Sequence, residues 1–89
     1  MIPIRYTSQF KKDIKRIKKR GYRLEKIKTV IDSLARSETL PLKYKDHSLI
    51  GNWKETRECH IEPDWLLIYK LEENELILVR TGTHSDLFG

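Results

Sequence analysis

Trp65-Leu66-Leu67-Ile68-Tyr69 is an almost unbroken apolar run in a chain that is 35% charged. The run is too short for a buried helix, and its length and composition suit a strand covered on both faces. Before it, Glu62-Pro63-Asp64 reads as a turn, with proline suited to the second turn position. The stretch from Trp53 to Ile61 then reads as one neighbouring strand. After it, Glu72-Glu73-Asn74 turns the chain back into a second neighbour from Glu75 to Thr81, which Gly82 breaks. A central strand of about Trp65 to Leu71 with these two partners predicts an antiparallel three-stranded meander.

Upstream, the apolar period changes from strand to helix. Phe10, Ile14 and Ile17 lie at i, i+4 and i+7, with Thr7 or Ser8 as the cap and Gly21 as the stop. Leu24, Ile27, Ile31 and Leu34 repeat the pattern at i, i+3, i+7 and i+10, and the short turn between the stripes suits an antiparallel helix hairpin. Ile2 to Tyr6 is short and alternating and reads as an N-terminal strand. Ser37 to Asn52 carries Pro41 and Gly51 and no sustained period, so a long, mostly irregular connection is expected there, of the kind that is often functional. The order predicts an α+β fold: N-terminal strand, two-helix hairpin, then the meander. That makes a sheet of about four strands with helices packed on it, in a single domain over residues 1–89.

Composition narrows the function classes. No apolar run approaches the roughly 20 residues needed to span a bilayer, and Met1-Ile2-Pro3-Ile4-Arg5 lacks the apolar core of a signal peptide, so a cytoplasmic location is expected. Cys59 is the single cysteine, so it reads as a core residue and no disulfide forms within the chain. Between Lys11 and Lys28 ten basic residues face only Asp13 and Glu25, a net +8 in a chain of net +5. The rest of the chain is therefore acidic overall. Lys11, Lys12, Lys15, Arg16, Lys18, Lys19 and Arg20 form the densest part of this run and predict a contact with a polyanion or an acidic protein.

His47, His60 and His84 all fall in the other half. Metal-free RNA cleavage needs one group to take the 2′-hydroxyl proton, another to protonate the leaving 5′-oxygen, and cations for the phosphorane between them. Imidazoles suit the two proton transfers, and arginine or lysine suits the phosphate. His60 lies near one strand end, Asp64 in the turn after it, and His84 just past the last strand. Each also has a plainer reading: a local turn contact for His47, a solvated strand face for His60 between Glu58 and Glu62, and an ordinary turn residue for Asp64. The histidines lack the i, i+4 spacing of a helical zinc pair and no cysteine cluster supports one, so no metal or cofactor is expected.

The segment Tyr44 to Lys70, YKDHSLIGNWKETRECHIEPDWLLIYK, and the ending Arg80 to Gly89, RTGTHSDLFG, resemble the YafQ-type toxins of the RelE/ParE superfamily. The resemblance implies a small endoribonuclease of a bacterial type II toxin–antitoxin pair. It would cut messenger RNA on the ribosome, in the A site, and so inhibit translation. It also implies a cognate antitoxin as partner, with operator DNA reached only through the toxin–antitoxin complex and no membrane involved. Carried over position by position, the catalytic set is His47, His60, Asp64, His84 and Phe88. His84 would donate the proton to the leaving oxygen, and Asp64 or a partnered histidine would act as base. His47 and His60 would orient the phosphate or relay protons, while Phe88 stacks on a nucleotide. Lys54, Arg57 and Arg80 are added as phosphate contacts on charge alone. The alternatives in the same superfamily are a non-nucleolytic ParE-like toxin acting on gyrase and an inactive RNA-binding relic.

Overall fold

A computed structural model of the chain describes residues 1–89 apart from Lys54 and the side chain of Asn52. In chain order its elements are β1 (Ile4–Tyr6), α1 (Ser8–Lys19), α2 (Leu24–Ala35), β2 (His47–Ser48), β3 (Arg57–Glu62), β4 (Trp65–Glu72), β5 (Glu75–Gly82) and α3 (His84–Phe88), with one-turn 3-10 helices at Leu42–Tyr44 and Gly51–Trp53. The sheet runs β1-β5-β4-β3-β2. The meander is antiparallel throughout, while β1 lies parallel to β5 with Ile4 opposite Leu76.

The sheet has five strands where four were expected. The extra one, β2, is only two residues long, too short to leave an alternating pattern in the sequence. It forms because Lys45 adopts a left-handed conformation (φ 50°) that turns the chain to lie along β3. The connection from Ser37 to Asn52 is therefore less irregular than its composition suggests.

The helices form where the period placed them. Thr7 caps α1, its Oγ1 accepting from the Phe10 amide at 2.9 Å and donating to the Val79 carbonyl at 2.8 Å. That one hydroxyl ties the start of the helix to the sheet. Gly21, at φ 83°, takes the left-handed position that follows α1. On α2 the buried stripe is Ile27, Val30 and Leu34, with Ile31 only half-buried. The stripe expected from the sequence held Ile31 in place of Val30; the two are adjacent apolar residues, and the helix rotates so that Val30 takes the buried position.

One face of the sheet packs on these helices. Phe10, Ile17, Ile27, Val30 and Leu34 meet Cys59, Ile61, Trp65, Leu67, Tyr69, Leu76 and Leu78. Cys59 is fully buried, and burial pushes its thiol up to about 12, so it is an inert core residue as expected. On the opposite face, Leu66 and Ile68 are covered by Leu87, with Leu49, Trp53 and Val79 around them. The continuous apolar run of β4 thus has a cover on both faces. The second cover comes from the last residues of the chain, which form the short helix α3.

Candidate active site

Strand alternation builds the first part of the site. Cys59 and Ile61 point into the helix-side core, so Glu58 and His60, two residues apart on β3, share the other face. His47 sits directly opposite Glu58 across the β2–β3 pair. Glu58 is only 5% exposed, and its Oε1 lies 3.5 Å from His47 Nε2 and 3.4 Å from His60 Nε2. The two rings stand 6.4 Å apart between centroids.

The chain leading into β2 is anchored at Asp46. Tyr69 Oη donates to Asp46 Oδ1 at 2.6 Å, and Arg57 Nε lies 3.3 Å from the same oxygen. Burial, and then the bond to Asp46, pushes the Tyr69 hydroxyl well above its ordinary range, so it stays a donor. The His47 ring is fixed in turn by a 2.6 Å contact from Nδ1 to the Lys45 carbonyl. A carbonyl only accepts, so Nδ1 carries the proton and Nε2 is the atom turned toward Glu58.

The second part is built at the other end of the meander. β4 runs against both neighbours, so the end of β3 and the end of β5 fall on the same edge, with His60 opposite Leu66 and Leu66 opposite Gly82. Past Gly82, Thr83 caps α3 through a reciprocal pair: Thr83 Oγ1 accepts from the Asp86 amide at 3.1 Å, and Asp86 Oδ2 accepts from the Thr83 amide at 3.0 Å. Arg20 donates to both Asp86 oxygens, at 2.7 and 3.1 Å, and this bond more than any other holds the Asp86 carboxyl well below the usual carboxylate range. Gly82 is needed here because a Cβ on it would come within 2.9 Å of Asp86 Cβ and Oδ2.

This packing places His84 against Asp64. Asp64 Oδ1 accepts from the His84 backbone amide at 2.9 Å and lies 2.6 Å from His84 Nδ1. The backbone bond first, and the ring bond after it, hold the Asp64 carboxyl below its ordinary value. An ionised Asp64 only accepts, so His84 Nδ1 carries a proton and Nε2 is left for a substrate. The His84 ring stands 5.9 Å from that of His60. Phe88, 46% exposed at the end of α3, meets Trp53 edge-to-face at 5.8 Å.

His47, His60, Asp64, His84 and Phe88 are therefore gathered on one edge and face of the sheet. The added cations are not gathered with them in the same way. Arg57 shares the face of Cys59 and Tyr69, opposite to His60, and donates to Ser48 Oγ at 2.9 Å. Arg80 is 21% exposed and bonds through Nε and Nη2 to both oxygens of Asp13, at 2.9 and 3.0 Å. Lys54 lies outside the described residues. Within the basic run, Arg16 donates to Asp13 and Arg20 to Asp86, while Lys11, Lys12, Lys15, Lys18 and Lys19 are exposed. The arginines of the run have structural partners inside the fold, and the lysines form its charged surface.

Two neighbours of the expected site residues were missed in the sequence, Glu58 beside the histidines and Trp53 beside Phe88. Glu58 looked like part of a solvated face, although its i, i+2 relation to His60 already put both on one side. Trp53 looked like the start of a strand, and nothing local signalled its contact with Phe88. Among the described residues, no group of three or more His, Cys, Asp and Glu side chains is arranged to hold a metal ion.

Comparison with known proteins agrees with this architecture. The family described as the bacterial toxin of type II toxin–antitoxin system, YafQ, matches residues 2–89. The mRNA interferase toxin YafQ of Escherichia coli K12 is 49% identical over 88 residues, covering 97% of this chain and 95% of that protein. The crystal structure of the E. coli DinJ–YafQ complex contains a chain that superposes with a TM-score of 0.91 at 46% identity, covering all of both chains. A copper-bound mutant toxin from Helicobacter pylori superposes with a TM-score of 0.94 at 40% identity, covering 99% of this chain and all of that one. On sequence and fold together, the chain belongs to the YafQ family of type II toxin–antitoxin toxins.

Proposed function

We propose that this chain, a YafQ-family mRNA interferase toxin, cuts messenger RNA by 2′-hydroxyl attack between His60 and His84. The observation that carries the reading is the pair of imidazoles 5.9 Å apart, each beside a carboxylate, Glu58 for His60 and Asp64 for His84. Asp64 holds His84 with Nε2 outward, the posture of a general acid that protonates the leaving 5′-oxygen. Asp64 is itself a poor base, because its carboxyl is committed to two bonds from His84 and its pKa is lowered. The base on the 2′-hydroxyl is His60, steadied by the buried Glu58, and His47 shares that carboxylate and faces the phosphate. The 2′-oxygen attacks the adjacent phosphorus as His60 takes its proton. The bond to the 5′-oxygen then breaks as His84 supplies one, leaving a 2′,3′-cyclic phosphate and a 5′-hydroxyl.

Phe88 and Trp53 give a nucleotide an aromatic surface, and base–aromatic stacking is worth about 1–3 kcal/mol per base. The exposed lysines of α1 meet ribosomal RNA, which brings the toxin to translating ribosomes in the cytoplasm. The same surface suits an acidic antitoxin, through which the chain reaches operator DNA. A gyrase-binding role would leave the buried Glu58 and the His84–Asp64 pair without a purpose.

The test is cleavage of messenger RNA on programmed ribosomes by wild type and His84→Ala, with naked RNA as a control and EDTA in a parallel reaction. Cuts that survive EDTA and vanish in the variant are expected. No cuts from folded wild type, or equal cutting by His84→Ala, would overturn the mechanism.

A further inference from the structure

Beside the histidines lies a cavity of about 390 Å³ between α2 and the end of β3, most of whose lining has no role assigned above. Its walls include Lys26 of α2, Lys43 and Tyr44 of the 3-10 turn, and Pro63. His60 forms a wall of it as well, and Pro63 immediately precedes Asp64. The cavity therefore adjoins the reaction site along the end of β3, on the helix side of the sheet, while the His60 side chain lies on the other face. Its volume falls in the range of about 300–1,000 Å³ typical of small-ligand pockets.

The chemistry of these walls is specific. Tyr44 is half-buried, its ring held against the helix-side core, which gives a fixed aromatic surface. The Lys43 ammonium stands 5.2 Å from the centroid of that ring. Lys26 is already paired with Glu62 at 2.6 Å, so the far wall presents a cation and a carboxylate together. An aromatic face, an exposed lysine and an acceptor–donor pair match the base, phosphate and polar edge of a nucleotide. An apolar peptide would leave the paired charges and Lys43 unmatched.

We infer that this cavity is a nucleotide subsite, taking the residue of messenger RNA next to the scissile phosphate. The inference rests on the RNA-cleavage reading of the adjoining site. The base stacks on Tyr44, Lys43 takes the phosphate on its outer side, and the Lys26–Glu62 pair reads the base edge. With the neighbouring nucleotide seated behind His60, the scissile phosphate lies between His60 and His84. The cavity is then a source of preference among the nucleotides beside the cut.

The experiment is single-turnover cleavage on ribosomes programmed with messages that differ only in the base beside the cut. Wild type, Tyr44→Ala, Tyr44→Phe, Lys43→Ala and His84→Ala are compared, and thermal melts confirm that each is folded. Tyr44→Ala is expected to raise the half-saturating toxin concentration at least about fivefold, the lower end of what loss of one stacked base costs. It should also flatten the preference among flanking bases while leaving the saturating rate within about twofold. Tyr44→Phe should keep both properties, and Lys43→Ala should weaken saturation without touching base preference. If Tyr44→Ala does not fold, Lys43→Ala decides alone, and wild-type saturation in that variant overturns the subsite. Wild-type behaviour in both variants overturns it too, as does an equal loss over all flanking bases in Tyr44→Ala, which would place the surface on ribosomal RNA. Failure of wild type to cut, or cutting by His84→Ala, defeats the cleavage reading itself and is told apart by those two reactions.

Discussion

Asp13→Asn tests whether one buried carboxylate holds the helix layer to the strand that leads into the candidate site at α3. Asp13 is fully buried on α1. Its Oδ1 accepts from Gln9 Nε2 at 3.2 Å, Arg16 Nη2 at 2.9 Å and Arg80 Nη2 at 3.0 Å, while Oδ2 accepts from Arg80 Nε at 2.9 Å and the Thr81 amide at 3.1 Å. An asparagine of the same shape keeps one acceptor, enough for Arg80 Nε and Thr81, but turns an amide N–H toward two guanidinium groups. Breaking a buried ion pair by removing one partner costs about 3–5 kcal/mol. Arg80 and Arg16 are 21% and 36% exposed and can turn partly to water, which favours the lower end, about 3 kcal/mol. At about 4 °C or more per kcal/mol for a domain of this size, the melting temperature should fall by at least about 12 °C.

The pH dependence of that loss carries a sign. Burial alone would raise the Asp13 carboxyl, but bonds from Arg80, Thr81 and Gln9 outweigh it and hold the pKa below its ordinary value. A group depressed in the folded state contributes its full stability above the unfolded value, near 3.9, and loses it as pH falls through the folded value. The gap between wild type and Asp13→Asn in urea unfolding should therefore be level from about pH 5 to 8 and close below about pH 4. Other carboxylates titrate in both proteins and cancel in the difference. A gap under about 1 kcal/mol at pH 7, or one that widens on acidification, would refute the reasoning.

Four further outcomes follow from the site. His84→Ala should abolish cleavage while antitoxin affinity, measured by calorimetry, stays within about tenfold, because general acid–base groups contribute about 10²–10⁴ to rate and little to distant contacts. Asp64→Asn, which keeps an oxygen for the His84 bonds, should slow single-turnover cleavage less than Asp64→Ala; equal and complete loss in both would make Asp64 the base instead of the group that orients His84. Because the Asp64 carboxyl is held low, it is ionised throughout the working range, so the cleavage rate between about pH 5 and 9 should follow the imidazoles, and a flat profile would contradict histidine chemistry. Asp86→Ala removes the reciprocal cap of α3 and the Arg20 pair, and should cost about 0.5–2 kcal/mol through the cap while lowering cleavage, since α3 carries both His84 and Phe88; unchanged cleavage in a destabilised variant would separate the helix from the chemistry.

The meander, the helix hairpin and the four polar site residues are legible in the sequence for different reasons. A strand buried on both faces leaves a continuous apolar run, and a helix on a sheet leaves a 3.6-residue stripe, so Trp65 to Tyr69 and Phe10 to Leu34 declare themselves. His47, His60, Asp64 and His84 stand out by residue type and motif. What stays hidden is whatever depends on a cover supplied from elsewhere. Glu58 alternates with His60 as a solvated face would, and only β2 lying alongside makes it a buried carboxylate shared by two imidazoles. Arg80 reads as a free cation because its partner, Asp13, lies 67 residues away in a run that looks like pure surface charge. The same limit explains α3. Its short segment has too few residues for a period, yet Leu87 closes the second face of β4, a burial worth about 1.5–3 kcal/mol. Closing that face also sets His84 and Phe88 beside His60 and Trp53. Leu87 shares its short helix with His84 and Phe88, so a substitution that loosens Leu87 should lower cleavage before it unfolds the sheet.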